Sequence, residues 1–173
     1  MKFIADGMLG KLTRWLRMLG HDVEYSRSDD DKKLIDKAKS EGRTLLTSDF
    51  NLYQQASTQN VDAVWLESSA GNEKLADLAV RFNFKLEIDV RISRCPKCNT
   101  RIKPVSKSLI IERVPKATST YYKEFWECPK CEQVYWKGAH WKRIEQTLNE
   151  ARRKVQNAVT PARASSIPKE AGT

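Results

Sequence analysis

Three apolar residues, Phe3-Ile4-Ala5, stand near the start of the chain and stop at Asp6, the pattern of a short buried strand. After Gly7 the period changes. Met8, Leu12, Trp15, Leu16 and Leu19 recur at three- and four-residue spacing, one face of a helix that Gly20 ends. Val23 and Tyr25 mark a second strand. The polar run from Ser26 to Asp31 offers N-caps for a helix across residues 32–40, closed by Glu41-Gly42. Thr44–Thr47 reads as a third strand ending near Asp49, which can itself cap a helix at Phe50-Asn51. Val61–Leu66 reads as a fourth strand, followed by a helix over residues 72–82. Strands alternating with helices predict an α/β fold for residues 1–90: a parallel sheet flanked by helices, with right-handed crossovers.

From Arg91 the pattern breaks. Cys95, Cys98, Cys128 and Cys131 form two CPKC knuckles separated by 29 residues. Two such knuckles bring four thiolates to tetrahedral Zn²⁺ spacing, and a Cys₄ shell leaves no open coordination position. One structural zinc ion is therefore expected, with no part in chemistry. Leu109–Val114, Tyr121–Trp126 and Tyr135-Trp136 read as strands, so residues 91–148 are expected to form a small β zinc ribbon. Residues 142–158 read as a basic helix. Residues 149–173 are expected to hold its end and a disordered tail rich in Pro, Ser, Ala and Gly.

Composition narrows the partner. The 173 residues are 40% hydrophobic and 31% charged, enough for one medium or two small soluble domains. No apolar run approaches the ~18 residues a membrane span needs. Asp6 interrupts any signal-peptide core, so a cytoplasmic protein is expected. The net charge of +9 is unevenly spread. Residues 1–93 carry 14 basic and 15 acidic side chains, whereas residues 94–173 carry 17 and 7. A basic C-terminal half points to a polyanion, most commonly nucleic acid.

Acidic residues gather at the predicted strand ends. Asp6 ends the first strand, Asp49 the third, and Asp29, Asp30 and Asp31 follow the second. Sites in open α/β sheets form outside the carboxyl ends of the strands. Converging carboxylates repel one another unless a hard cation such as Mg²⁺ or Mn²⁺ intervenes, and such an ion can activate water against a phosphodiester. Helix capping is the plainer role for Asp29–Asp31 and for Asp49. Lys11, Arg14 and Arg17, on the first helix, could grip phosphate or simply form a solvated face. Around the second knuckle, Trp126, Tyr135, Trp136 and Trp141 interleave with Lys123, Lys130, Lys137, Lys142 and Arg143. That mixture can stack bases and neutralise phosphates. Trp126 and Tyr135 are expected in the ribbon core; Trp136 and Trp141 are the better candidate contacts. Four cysteines complete a zinc shell without His140, which is left a packing role. His21 is expected in a turn.

The blocks FIADGMLGKLTRWLRMLGHD, DDD, GRTLLTSD, RCPKCN and CPKCEQVYWKGAHW together resemble the Mut-seven C-terminal ribonuclease family, PIN-like domains that carry a zinc ribbon. The resemblance spans about residues 2–148. It implies a PIN-like nuclease fold in which Asp6, Asp30 or Asp31, and Asp49 bind Mg²⁺ or Mn²⁺. It implies a metal-dependent endoribonuclease that leaves a 5′-phosphate and a 3′-hydroxyl. Lys11 and Arg14 would position the scissile phosphate, and Arg17, Lys130, Trp136, Lys137, Trp141, Lys142 and Arg143 would contact RNA. The architecture also resembles ribosome-maturation endonucleases, which makes ribosomal RNA or the ribosome an expected partner. PIN nucleases often carry a fourth acidic residue where Asn51 and Asn60 stand here, and Asp62 lies further on, at a strand start. The alternative expectation is a non-catalytic RNA- or ribosome-binding protein on the same scaffold. Convergence of three aspartates would favour the enzyme, and of two the binder.

Overall fold

A computed structural model describes residues 1–27, 29–67 and 71–159, so most of the predicted tail lies outside the described residues. The first half alternates as the hydrophobic pattern predicts. Strand β1 (Lys2–Ala5) runs through a 3₁₀ turn (Gly7–Leu9) into α1 (Gly10–Met18). Then follow β2 (Asp22–Tyr25), α2 (Asp31–Glu41), β3 (Thr44–Thr47), α3 (Phe50–Thr58), β4 (Ala63–Trp65) and α4 (Gly71–Phe82). The strands form one parallel sheet in the order β2-β1-β3-β4.

Alternation along the strands builds two layers of core. Phe3, Ala5, Leu46 and Val64 pack with Leu12, Leu16, Leu75 and Leu78 on the α1/α4 face. Ile4 and Leu45 pack with Leu34, Ile35, Leu52 and Ala56 on the α2/α3 face. Both faces are covered, which is why β1 reads as a continuous apolar run. Asp30 and Asp49 cap the N-termini of α2 and α3, and left-handed Gly42 (φ 59°) ends α2.

The ribbon holds β5 (Lys103–Val105), α5 (Lys107–Ile110), α6 (Lys116–Tyr121), β6 (Phe125–Glu127) and β7 (Val134–Tyr135). Its three-stranded antiparallel sheet is ordered β5-β6-β7. Two strand expectations fail here. Residues 109–114 form the end of α5 and a turn, because a strand face burying Ile110 and Val114 would also bury Glu112 between them. One helical turn buries Ile110 and Val114 and leaves Leu109, Glu112 and Ile111 in solvent. Of residues 121–126, Tyr121 ends a helix and only Phe125 and Trp126 are in a strand. Strand β5 escaped the pattern because it is three residues long and contains Pro104, tolerable only at a sheet edge.

Helix α7 (Trp141–Val159) returns to the first half. Its Leu148 and Ala151 are fully buried in the cluster that holds Leu75 and Leu78. Lys154 pairs with Glu73 at 2.5 Å, and Asn72 donates to Glu150 at 3.1 Å. The segment entering the ribbon's first knuckle is likewise seated on the end of α1. Ser93 Oγ donates to the Met18 carbonyl at 2.6 Å, and the Arg94 N–H donates to the Arg17 carbonyl at 2.9 Å.

Candidate active site and metal centre

Asp6 leaves the end of β1 and is 95% buried, yet both of its carboxylate oxygens are met by donors, with one acceptor position on Oδ1 left over. Its Oδ1 accepts the Met8 N–H at 2.8 Å, capping the 3₁₀ turn. Its Oδ2 accepts the Ser48 N–H at 3.0 Å and the Thr47 hydroxyl. Thr47 Oγ1 in turn accepts the Asp49 N–H at 2.9 Å, so one hydroxyl joins the two aspartates. The Asp49 carboxylate is exposed; its Oδ1 accepts the Asn51 and Leu52 N–H groups at 2.7 and 3.3 Å, capping α3. Beside them Ser48 Oγ donates to the Leu66 carbonyl at 2.8 Å and accepts from Lys74 Nζ at 2.7 Å. A cation from α4 therefore stands at the same sheet edge.

The aspartates after β2 are placed differently. Asp30 Oδ1 accepts the Lys33 N–H at 2.8 Å, and its other oxygen lies 3.6 Å from Lys33 Nζ, so it serves as a helix cap. Exposed Asp31 faces Gln55 of α3 at 3.5 Å. The Asp29 N–H donates to Ser26 Oγ at 3.2 Å. Among the described residues, the group of three or more His, Cys, Asp or Glu side chains placed to hold an ion is the four cysteines, not the aspartates.

A groove of about 650 Å³ runs from this edge between α1, the end of β2 and the first knuckle. Lys11, Arg14, Arg27 and Lys97 line it. Tyr25 shapes its floor: its hydroxyl donates to the Gly7 carbonyl at 3.0 Å and accepts from Arg27 Nε at 3.2 Å. A Cβ at Gly10 would stand 2.6 Å from that hydroxyl, so the close approach of α1 to Tyr25 requires glycine there. Lys11 and Arg14 are exposed.

Arg17 corrects an expectation. It is 94% buried, not a phosphate contact. Its Nε and Nη2 donate to the Val23 carbonyl at 2.9 and 2.6 Å, and its Nη1 to the Pro96 and Lys97 carbonyls at 3.0 and 3.1 Å. The guanidinium fork is used up joining β2 to the first knuckle.

The four cysteine Sγ atoms lie within 4.8 Å of one another. Three of their separations are 3.3, 3.5 and 3.8 Å. A tetrahedron with ~2.3 Å Zn–S bonds has sulfur–sulfur edges of about 3.8 Å, so the set can hold a zinc ion. Burial pushes the Cys98 thiol up, but hydrogen bonds with Thr100 outweigh it and hold the thiol at about 6, whereas burial pushes Cys128 up and Cys131 to about 12, so an ion bound here would displace protons from the set. The Tyr135 hydroxyl reaches Cys95 Sγ at 3.0 Å, a contact of the kind that orients a ligand sulfur.

The ribbon aromatics are largely spoken for by packing. Trp126 is buried, as expected. Lys137 Nζ lies over the Trp126 and Trp141 rings at 6.0 and 5.3 Å. Half-buried Trp136 packs against Phe125 and His140. Lys130, Lys142 and Arg143 are exposed. Three neighbours of the acidic edge escaped the sequence reading. Thr47 and Ser48 stand directly before Asp49 and their proximity was a usable signal; Lys74 carried none, because only the fold brings α4 over β3.

The chain thus joins a parallel α/β unit with carboxylates at its strand ends to a ribbon whose four clustered cysteines could hold a metal ion. The chain belongs to the Mut7-C RNAse domain family, whose model matches residues 1–148. No curated protein and no solved structure matches it.

Proposed function

We propose that this protein is a divalent-metal-dependent ribonuclease that cuts RNA at the carboxyl edge of its parallel sheet and holds the strand with its basic half. The observation that carries the reading is the Asp6–Thr47–Asp49 chain beside a groove of Lys11 and Arg14. Mg²⁺ and Mn²⁺ sites of phosphoryl-transfer enzymes commonly use one or two carboxylates and take their remaining ligands from substrate phosphates and water. Asp6 and Asp49, with Asp31 across from α3, are the side chains that would hold such an ion. When bound, it would supply charge stabilisation at the phosphate and a more acidic water. The chain's own groups do the rest. Three donors hold Asp6 rigid. Lys74 brings positive charge to Ser48, and Lys11 and Arg14 position a phosphate for in-line attack that leaves a 5′-phosphate and a 3′-hydroxyl.

A second reading, an RNA- or ribosome-binding protein without cleavage, is favoured by one observation: among the described residues the aspartates do not form a ready-made three-ligand group. A cleavage time course with Mn²⁺ beside an RNA-binding titration separates the two. Under the nuclease reading, wild type cleaves single-stranded RNA, Asp49→Asn binds it without cleaving, and Lys11→Ala loses both together. Wild type that binds RNA but cleaves none in Mn²⁺ would establish the binder. No helix among the described residues is long and apolar enough to cross a membrane, which fits the cytoplasmic setting we infer for an RNA-directed enzyme.

A further inference from the structure

Two large aromatic side chains stand in solvent immediately beside the acidic edge. Phe50 is 47% and Trp65 39% exposed. Phe50 follows Asp49 directly in the chain, and Trp65 is paired in register with Thr47, the residue that joins Asp6 to Asp49. The rings meet edge to face, with centroids 5.2 Å apart and planes at 68°. Tyr53, one helical turn along α3, extends the patch at 6.1 Å from Phe50. An edge-to-face contact, unlike a stacked one, does not cover both faces of either ring. Neither Phe50 nor Trp65 belongs to a buried cluster of the core.

We propose that Phe50 and Trp65 form a stacking platform for an unpaired nucleobase of the RNA held at this edge. The inference rests on the ribonuclease reading above. Sheet order supplies the argument for a base. The cationic groove opens at the β2 end, Asp6 follows on β1, Asp49 on β3 and Trp65 on β4. With strands ~4.8 Å apart, the whole row spans about 14 Å, a distance a short stretch of extended RNA covers. A strand laid along it meets phosphate-binding cations, then the carboxylates, then aromatic faces. Stacking of this kind tolerates any base, because every base has a π-face, but it needs the base out of a duplex. The platform therefore selects for unpaired RNA without reading sequence.

The test is a binding titration in Ca²⁺, which suppresses turnover in many Mg²⁺-dependent nucleases, using three probes of equal length. These are a single-stranded RNA, its abasic counterpart and the duplex. Wild type is expected to bind the base-bearing strand about ten-fold tighter than the abasic one, and the duplex no tighter than the abasic one. Phe50→Ala and Trp65→Ala should each lower affinity for the base-bearing strand towards the abasic level while leaving abasic affinity unchanged. Unchanged abasic binding is also the control for folding, and Phe50→Ala carries the test if Trp65→Ala is unstable. Lys11→Ala should weaken both single strands equally. Equal affinity of wild type for the base-bearing and abasic strands, or an undiminished preference in both alanine variants, overturns the platform and leaves the nuclease reading standing. Wild type that binds none of the probes overturns both.

Discussion

The side-chain carbonyl oxygen of Asn99 accepts the backbone N–H of Val23 at 3.0 Å, so a residue of the first cysteine knuckle completes the ladder at the edge of the parallel sheet. The Asn99 amide also donates to Asp22 Oδ1 at 2.9 Å, and Asp22 is paired with Arg43 at 2.8 Å and Arg94 at 3.2 Å. Asn99 has φ of 68°, a left-handed conformation that asparagine tolerates and that aims its side chain back at β2. An edge strand is a liability when its N–H groups are unpaired. Here the four-cysteine module covers it.

Asn99→Gly keeps the backbone conformation and removes the amide, leaving the buried Val23 N–H without its partner. It is expected to cost about 1–3 kcal/mol of stability. Hydrogen exchange at the Val23 amide is the direct measurement. If the four cysteines hold zinc, chelating it should accelerate exchange at the same amide, because a structural zinc would order the knuckle that presents Asn99. A Val23 amide equally protected with and without metal would show that the two halves are independent.

Asp6→Asn and Asp49→Asn should part company in stability. Asparagine has one acceptor oxygen, whereas Asp6 accepts three hydrogen bonds through both of its oxygens. Its replacement turns an amide N–H₂ against the N–H of Met8 or Ser48 and is expected to cost about 1–3 kcal/mol. Asp49 caps α3 through Oδ1 alone, and asparagine caps as well as aspartate, so that variant should stay within about 0.5 kcal/mol of wild type. Denaturant midpoints for the pair decide this. Asp49→Asn is accordingly the cleaner probe of chemistry.

His21 makes acid stability measurable. It is buried between Phe3 and Phe84, with ring centroids at 5.8 and 4.4 Å, and its Nε2 has no hydrogen-bond partner. Burial, and then the nearby N-terminal ammonium, lower its pKa from 6.5 to about 4. The folded protein thus refuses a proton that the unfolded chain accepts. Stability from this group is intact above pH 6.5 and is lost as the pH falls towards 4, by at most about 3 kcal/mol. His21→Gln should flatten the fall in melting temperature across that window. Parallel curves for the two proteins would show that His21 does not titrate this way.

Leu148 is fully buried between α7 and α4. Leu148→Ala is expected to cost about 2–5 kcal/mol. A loss of less than 0.5 kcal/mol in chemical denaturation would mean that α7 is a loosely held appendage.

The alternating half of the molecule was legible because its signals are local and mutually consistent. The apolar run before Asp6, the caps at Asp30 and Asp49 and the stop at Gly42 each act within a turn of the chain. The cysteine cluster was legible for the same reason. What could not be read was long-range. Arg17 carries no mark that separates it from Arg14, yet one is buried on carbonyls of β2 and the knuckle while the other is exposed. The expected repulsion at Asp6 is relieved by hydroxyl and backbone donors, and those come from β3. The ribbon's short elements defeated periodicity, since three residues of β5 do not complete two periods of anything.

The return of α7 to α4 also sets an order of events during synthesis. All four strands of the parallel sheet lie within residues 2–65, so they can pair while the rest of the chain is still being made. The cluster that holds Leu75, Leu78 and Ala79 of α4 is completed only by Leu148 and Ala151, which leave the ribosome after the whole ribbon. A nascent chain halted between the two knuckles therefore carries a paired sheet under an uncovered apolar helix, the kind of surface that recruits chaperones or sticks to its neighbours. Completion of the four-cysteine cluster and the docking of α7 must both follow that stage, so the last apolar surface is covered only at the end of synthesis.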